Sequence, residues 1–120
     1  MVIHYKEKAY FNSKDLALSV IGGRWKIAII WCLFQQSPLR LSEIQQKLPH
    51  ANQRMLIRQL RELEEDQIIT RFVHPVVPPK VEYQLSEMGL RLESVVTSIC
   101  DWGDNFRDFL QNDANETSVD

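Results

Sequence analysis

The sequence is poor in cysteine and histidine, which limits the chemistry that it can support. It has two cysteines, Cys32 and Cys100, with 67 residues between them and no CxxC pair, which argues against a zinc knuckle or a disulfide framework. We interpret both thiols as buried and reduced. The histidines, His4, His50 and His74, lack ligand spacing to one another or to a cysteine, so no metal site is expected.

Long apolar runs and catalytic motifs are also missing. No apolar stretch approaches the roughly 20 residues of a membrane helix, and the start, MVIHYKEKAY, has no apolar signal segment. We therefore expect a cytoplasmic protein without a membrane partner. The sequence has no GxSxG, no glycine loop that cradles phosphate and no carboxylate pair beside a histidine. It predicts neither an enzyme nor a bound cofactor.

A basic excess is absent as well, because the net charge is −2, but the charge is unevenly distributed. Residues 1–39 hold five Lys or Arg against two acids, residues 40–81 hold seven against five, and residues 82–120 hold two against nine. Four acids of the middle segment are adjacent or nearly so: Glu62, Glu64, Glu65 and Asp66. The residues before them remain positive, and a local field of this kind attracts phosphate despite an acidic total.

The stretch NQRMLIRQLRELEED, residues 52–66, has the spacing of a helix with two different faces. Three arginines recur at intervals of four and three residues and share one stripe: Arg54, Arg58 and Arg61. Three leucines recur in the same way and are expected to face the core: Leu56, Leu60 and Leu63. An exposed row of like charges predicts a negatively charged partner.

The elements around this helix follow the order of a winged helix. After a loosely ordered arm at 1–11, a helix capped by Asn12 or Ser13 is predicted to end at the Gly22–Gly23 pair, and a second helix starts at Arg24. A capping box of Ser42 with Gln45 predicts a short helix before residues 52–66. The alternating segments IITRFVH and KVEYQL, joined by PVVPP, predict a two-stranded hairpin over residues 69–85.

The C-terminal part of the chain, residues 86–110, has a regular heptad pattern that indicates self-association. Seven apolar residues are spaced four and three apart: Met88, Leu92, Val95, Ile99, Trp102, Phe106 and Phe109. An alternative is that the aromatic residues cover the protein's own helices. We favour a dimer interface formed by the six residues from Leu92 onward, because so long a helix projects past a small winged-helix core. Residues 111–120 are predicted to be a disordered tail.

Double-stranded DNA is the partner that the arginine stripe fits. The major groove accepts an α-helix, and amide and guanidinium groups in its first turn, here Asn52, Gln53 and Arg54, can pair with base edges. The stripe continues through Arg58 and Arg61 toward the flanking backbone. Ile57, at the edge of the stripe, is also a candidate DNA-binding residue: it can touch a thymine methyl or close the core, and we slightly favour the core. The alternative is that arginines pair within the helix with acids four residues later.

Four more side chains are candidates for contact with phosphate rather than for base reading. Arg40 and Lys47 flank the short helix before the turn, and His74 and Lys80 flank the proline-rich tip of the hairpin. The tip itself, PVVPP, carries no cation. We therefore expect the wing to contact the DNA backbone through Lys80 and to read little sequence.

Several segments resemble the HxlR-type winged helix-turn-helix regulators of bacteria and archaea. The similar segments are VIGGRWK at 20–26, LSEIQQKLP at 41–49, MLIRQLRELEEDQII at 55–69 and VPPKVEYQLSEMG at 77–89. The resemblance covers residues 12–110. It implies a mainly α, winged helix-turn-helix fold with a β-hairpin wing and additional N- and C-terminal dimerisation helices, and a homodimer that binds a pseudo-palindromic operator.

Two departures from the family pattern affect what the resemblance implies. Many members open the first helix with a Cys-Pro pair whose thiol acts as a sensor in some of them, and this chain has Asn12 and Ser13 there. Thiol sensing by that route is not expected. The resemblance makes residues 52–66 the recognition helix. In the family, the turn before this helix often reads Gly-Ile-Ser, and here it is His50, Ala51 and Asn52, which predicts a different preference for DNA sequence.

Two other functions are compatible with the same residues. A winged-helix module can dock an acidic protein partner through its arginines without binding DNA, and the salt dependence of duplex binding distinguishes this alternative. A dimer can also hold a small aromatic effector in a cavity near Trp25 and Trp31. The sequence provides no polar constellation that identifies such an effector.

Overall fold

The computed structural model describes residues 1–117, and of residues 114–117 it describes the helical backbone alone. The chain forms two compact units, one of residues Met1–Leu90 and one that begins at Arg91. The first unit contains, in order, β1 (Ile3–Tyr5), β2 (Lys8–Tyr10), α1 (Ser13–Ile21), α2 (Lys26–Gln35), α3 (Leu41–Lys47), α4 (Gln53–Glu65), β3 (Ile69–His74), β4 (Lys80–Leu85) and α5 (Glu87–Leu90). The second contains α6 (Glu93–Thr117). The predicted mainly α fold with a two-stranded wing is confirmed.

The N-terminal segment is a β-hairpin, whereas the sequence predicts a loosely ordered arm. Strands β1 and β2 pair antiparallel with Ile3 opposite Tyr10 and Tyr5 opposite Lys8. The two turn residues between them, Lys6 and Glu7, have φ angles of 50° and 62°. Two-residue turns of this left-handed type usually carry Asn or Gly, and their absence hides the hairpin from sequence reasoning.

The first two helices form as predicted except at the start of α2. Asn12 caps α1, where its Oδ1 accepts a hydrogen bond of 2.8 Å from the Asp15 backbone N–H. Helix α2 starts at Lys26 rather than Arg24, because Trp25 has a φ of 75° and ends the helical backbone there. Ile29, Ile30 and Leu33 of α2 are fully buried and form part of the core.

Helix α3 begins earlier than the predicted capping box places it. Its N-cap residue is Arg40 rather than Ser42, and the Arg40 backbone N–H donates a hydrogen bond of 2.8 Å to Glu43 Oε1. The reciprocal acid of the helix start is therefore Glu43, not Gln45. Gln45 has a different role, because its side-chain amide donates to the carbonyl oxygens of Leu48 and Ala51 in the turn before α4.

Helix α4 and the wing match the predicted ranges closely. Asn52 caps α4 by accepting a hydrogen bond of 2.7 Å from the Met55 N–H. The three leucines predicted to face the core are buried: Leu56, Leu60 and Leu63. Strands β3 and β4 pair antiparallel from Ile69 opposite Leu85 to His74 opposite Lys80. Leu39 adds a short bridge to Tyr83 through two backbone hydrogen bonds of 3.0 and 2.8 Å.

The C-terminal segment differs from the single helix predicted over residues 86–110. Helix α5 ends at Leu90 and α6 starts at Glu93, so the predicted heptad series is interrupted, and Met88 and Leu92 lie outside α6. Helix α6 then continues through residues 111–117, where the sequence predicts a disordered tail. That segment, QNDANET, has no apolar residue except Ala114, but it also lacks glycine and proline, so its backbone can remain helical. Residues 118–120 of the predicted tail lie outside the described residues.

Among the described residues, no single helix has the length and apolar composition of a membrane span. One bent pair, α1 with α2 at an angle of 75°, reaches that length and composition together.

Candidate nucleic-acid interface

The exposed face of α4 carries the residues that the sequence assigns to DNA. Asn52, at the cap, and the side chains of its first turn and arginine stripe are exposed: Gln53, Arg54, Arg58 and Arg61. The structure therefore places these residues on one solvent-facing side, opposite the buried leucines. Ile57 is 40% exposed, so the interpretation that it closes the core is wrong. It lies beside the stripe because a spacing of three residues from Arg54 returns to nearly the same face.

The acids of α4 pair mainly with lysines from other elements, not with the arginines. Glu62 Oε2 lies 2.9 Å from Lys26 Nζ of α2, while Glu62 Oε1 is at the limit of ion pairing, 4.0 Å from Arg58 Nε. Within residues 1–117 no ion pair is formed by Arg54 or Arg61. The alternative of intrahelical pairing therefore has weak support at Arg58 and none at the other two arginines.

A buried cluster joins α2 to the inner side of α4. Lys26 is only 5% exposed, and its ion pair with Glu62 is accompanied by a hydrogen bond of 3.4 Å from Gln59 Nε2 to Glu62 Oε2. Gly23 makes room for this cluster, because a Cβ there would lie 2.6 Å from Gln59 Oε1 and 2.9 Å from Lys26 Cε. Lys26 is buried, whereas the Glu62 side chain is 39% exposed, so the ion pair is only half-buried. Removing Glu62 would leave the buried Lys26 ammonium without its partner, which is costly, so the pair helps to fix the position of α4 against α2.

Helix α3 carries two of the predicted phosphate contacts, one at each end, and the turn that follows it leads to α4. Arg40 and Lys47 are both exposed, at the N-terminal and C-terminal ends of α3. Arg40 Nε lies 4.0 Å from Glu43 Oε1, which is a weak pair. The two hydrogen bonds of the Gln45 amide brace this turn, a role that sequence reasoning missed because Gln45 was assigned to a capping box.

On the wing, His74 and Lys80 both contact the carboxylate of Glu82. Glu82 Oε1 accepts a hydrogen bond from His74 Nε2 and lies 3.9 Å from Lys80 Nζ. Sequence reasoning missed Glu82, although the strand pairing of His74 with Lys80 places a residue two positions after Lys80 on the same face. Arg71, an exposed cation on β3, was also missed. The wing therefore carries less free positive charge near its tip than its cations alone indicate.

Helix α6 exposes nearly all of its apolar stripe. Leu92 is half-buried, and the other five predicted interface residues are exposed: Val95, Ile99, Trp102, Phe106 and Phe109. The exposed fraction of Trp102 reaches 66%. The Trp102 and Phe106 rings stack at 5.1 Å between centroids, and the Phe106 and Phe109 rings at 6.0 Å. Leu110, also exposed, extends this apolar surface beyond the predicted set.

Neither the thiols nor the described acids and histidines form an evident reactive or metal site. Cys32 is buried as predicted, and burial raises the pKa of its thiol, so the group stays protonated at neutral pH. Cys100 is half-buried, so the prediction that both thiols are buried holds fully for Cys32 alone. Within the described part of the chain, no three His, Cys, Asp or Glu side chains are grouped closely enough to hold a metal ion.

The two tryptophans predicted to lie near an effector have different surroundings. Trp25 is half-buried, and the Arg24 guanidinium carbon lies 5.5 Å from the centroid of its ring. Trp31 is exposed on α2. An effector site beside them stays a prediction.

A helix-turn-helix made by α3 and α4 and followed by a β3–β4 wing defines the class of winged-helix transcriptional regulators. Within that class, the model of the HxlR-like helix-turn-helix family matches residues 20–111. The chain belongs to this family. The resemblance inferred from the sequence is thereby confirmed.

Three similar proteins place the chain among transcriptional regulators. The HTH-type transcriptional regulator YtcD of Bacillus subtilis is 46% identical over 100 residues, which cover 83% of this chain and 79% of YtcD. An HTH-type transcriptional regulator of Methanothermobacter thermautotrophicus is 41% identical over 103 residues, or 86% of this chain and 78% of that protein. The solved structure of the redox regulator HypR in its reduced form matches with a TM-score of 0.78 and 42% identity, covering 84% of this chain and 99% of HypR. The chain is accordingly a helix-turn-helix transcriptional regulator, and its relatives are regulators rather than enzymes.

Proposed function

We propose that this regulator binds a pseudo-palindromic operator as a homodimer, with α4 of each protomer in a major groove. The observation that carries the proposal is the unpaired, exposed stripe of Arg54 and Arg61, which has no negative partner within the described residues. Gln53 and Arg54 lie in the first turn of α4, where amide and guanidinium groups can make bidentate contacts to adenine and guanine. Asn52, whose Oδ1 caps the helix, keeps its side-chain NH₂ for a contact with a base edge. Arg58 continues the stripe, so the helix has both base-reading and phosphate-binding groups.

Phosphate contacts from other elements complete each half-site in this proposal. Arg61 follows the stripe toward the backbone of the duplex, and Arg40 and Lys47 lie at the two ends of α3. On the wing, Lys80 and His74 are the proposed contacts, weakened by their shared partner Glu82. Phosphate contacts fix the register of the protein on the duplex but carry no sequence information.

The proposed dimer rests on the apolar surface of α6. Exposed apolar stripes of this length are uncommon on monomers and typically mark an interface. A two-fold assembly through α6 allows two α4 helices to bind successive major grooves about 34 Å apart, which is the spacing of a palindromic site. We propose that the protein acts in this form in the cytoplasm.

Selection of bound sequences from a random duplex pool, followed by salt titration on the selected site, tests the proposal. We expect two inverted half-sites with centres about one helical turn apart. The affinity should fall by about 10³ or more between 50 and 200 mM salt, because each phosphate contact releases counterions. A pool that yields no preferred sequence, together with a shallow salt dependence, would instead favour docking of an acidic protein, a function that the family relationship does not favour.

A further inference from the structure

The N-terminal hairpin contacts the C-terminal end of the proposed recognition helix. Lys6 Nζ, in the hairpin turn, lies 2.7 Å from Asp66 Oδ1 and 3.9 Å from Glu65 Oε2. The Tyr5 hydroxyl donates a hydrogen bond of 2.7 Å to the same Asp66 oxygen. Residues 1–10 lie outside the segment matched by the family model, residues 20–111. The contact therefore joins residues outside the region that the family model matches to α4, which lies inside that region.

The C-terminal end of α4 needs such a contact because it is acidic, whereas a helix C-terminus favours basic side chains. Carboxylates are unfavourable near a helix C-terminus, where the backbone dipole is negative. Helix α4 nevertheless ends with Glu64, Glu65 and the cap residue Asp66, and its last turn has no basic residue. The Asp66 side chain is only 7% exposed, so its carboxylate requires nearby donors. Tyr5 and Lys6 supply them from outside the helix.

The shape of the hairpin brings both donors to the same point. Lys6 and Glu7 occupy the left-handed region, which is needed for a two-residue turn between strands that pair Tyr5 with Lys8. Residues such as lysine and glutamate rarely adopt the left-handed backbone conformation, so further contacts must stabilise it. The ion pair of Lys6 with Asp66 provides such a contact. The turn and the helix end therefore stabilise each other.

Both donors are protonated in the pH range where DNA binding is measured. The hydrogen bond to Asp66, followed by burial, raises the pKa of Tyr5 above its usual value. The hydrogen bond to Asp66 also raises the pKa of Lys6. A raised pKa of a donor means that its contribution is complete at lower pH and is lost only as the pH rises through the new value. At neutral pH both contacts to Asp66 are present.

We propose that Tyr5 and Lys6 are positioning residues for DNA binding, which fasten the acidic end of α4 and keep its carboxylates from Arg61. This inference rests on the proposed function of α4. Arg61 and Glu65 are four residues apart on one helix face, so a carboxylate released from the hairpin can pair with the arginine. Loss of the contact would loosen the last turn of α4 and reduce the positive charge that it offers to a duplex.

The test compares Lys6→Met and Tyr5→Phe with Lys8→Met as the matched control. Lys8 is an exposed lysine of the same hairpin, and within residues 1–117 it makes no ion pair or hydrogen bond with α4 through its side chain. Hydrogen exchange of the Asp66 amide, which donates to Glu62 O, reports on the end of α4 without DNA. We expect about two- to fivefold faster exchange and about two- to fivefold weaker operator binding for Lys6→Met, the range for one exposed ion pair. Tyr5→Phe should act in the same direction, and Lys8→Met should change neither value.

A second comparison separates positioning from direct contact with DNA. If Lys6 acts through Asp66, Lys6→Met should have less effect on operator affinity in an Asp66→Asn background, because the contact that it removes is already absent there. Equal losses of affinity and of salt slope in both backgrounds, with a slope change of about 0.9 for each lost phosphate contact, would show that Lys6 touches DNA and would overturn the positioning role. Unchanged exchange of the Asp66 amide, or faster exchange with unchanged operator affinity, would also overturn it.

The two proposals fail in distinguishable ways. If the wild-type protein shows no salt-dependent binding to any duplex, the proposed function fails, whatever the variants do. Hydrogen exchange in the same wild-type and variant proteins then still decides whether the hairpin holds the end of α4. If the wild-type protein binds its operator and both Lys6→Met and Tyr5→Phe match it in affinity and exchange, only the inference about the hairpin fails.

Discussion

Helices α4 and α6 are both amphipathic, but they expose opposite faces. The leucine stripe of α4 is buried, and its arginines lie in solvent. Helix α6 instead exposes its aromatic and aliphatic residues, and Val96, 1% exposed, is the buried one among its described side chains. The first helix offers charge and the second offers apolar surface. These two surfaces suit different partners, a polyanion and a second protein surface.

Which face of an amphipathic helix is exposed depends on whether other residues pack against its apolar side. In α4 the cover is the core of the same compact unit, so only the polar side remains for a ligand. In α6 the apolar side remains available, and burying it in a dimer would be favourable by roughly 25 cal/mol for each Å² removed from water. A substitution on α4 or on α6 changes one of these two surfaces.

The largest effect is expected when the apolar surface of α6 is charged. Ile99→Glu combined with Trp102→Glu places two carboxylates on each protomer where we propose that two copies meet. Truncating central aromatic anchors of an interface commonly costs 2 kcal/mol or more, about 30-fold in affinity. Light scattering should show a mass of 14.1 kDa instead of twice that value, and operator binding should weaken at least in proportion.

Thr97→Glu is the control for the charged α6 variant. Thr97 is exposed on the same helix but lies about half a turn around from the apolar stripe. It should keep the mass of the wild-type protein. A dimer that survives the double substitution with unchanged affinity would show that the apolar surface of α6 serves another purpose.

Arg54→Ala should produce the next largest effect on operator binding, because it changes the charged surface of α4. We expect a loss of roughly 1 to 3 kcal/mol in operator binding and relaxed preference at one base pair of each half-site. Arg107→Ala is the matched control, because Arg107 is an exposed helical arginine that already pairs with Asp104 and Asp108. Competition binding with single-base variants of the operator measures both. Equal losses for the two variants would mean that Arg54 contributes only through net charge.

Lys80→Ala should have a smaller and less selective effect than Arg54→Ala. It should weaken binding to all duplexes by a similar factor and reduce the salt slope by about 1 per contact, because phosphate contacts do not read sequence. The loss is expected to be modest, since Glu82 already shares the charge of Lys80. Titrations of operator and random DNA at several salt concentrations measure it. A change confined to the operator would assign base reading to the wing.

Glu82→Gln should give the smallest change and the opposite sign. Removing the carboxylate frees Lys80 and His74 and raises the local positive potential, so we expect about twofold tighter binding to any duplex. The same salt titration measures this gain. Weaker binding by Glu82→Gln would show that the carboxylate is needed to orient the wing cations.

The elements that sequence reasoning located best are those whose determinants are local. The leucine spacing of α4, the Asn52 cap and the strand segments β3 and β4 are all properties of short segments, and the structure has each of them where expected. Burial does not alternate along the two strands, because both Phe72 and Val73 of β3 are exposed. The exposed positions on α4 follow from the same helical periodicity. This is why the exposed residues of the candidate interface were identifiable from the sequence.

The features that the sequence did not reveal depend on residues that are distant along the chain. The Lys26–Glu62 pair joins residues of α2 and α4, and the Lys6–Asp66 pair joins residues 60 positions apart. No periodicity marks such partners. The hairpin turn at Lys6 and Glu7 lacked the usual glycine signal, and Glu82 became relevant only through the pairing of two strands. Sequence reasoning therefore located the cations better than it located the acids that hold some of them.

The buried cluster of Lys26, Gln59 and Glu62 has a consequence for how new regulators arise. It anchors α4 from the inside, whereas Arg54 and Arg61 make no ion pair within residues 1–117. Exchanging these outward residues therefore removes no internal support, and most surface substitutions of this kind alter folding stability little. In the proposed mode of binding, a few substitutions at these positions can change the operator preference while the protein keeps the same scaffold.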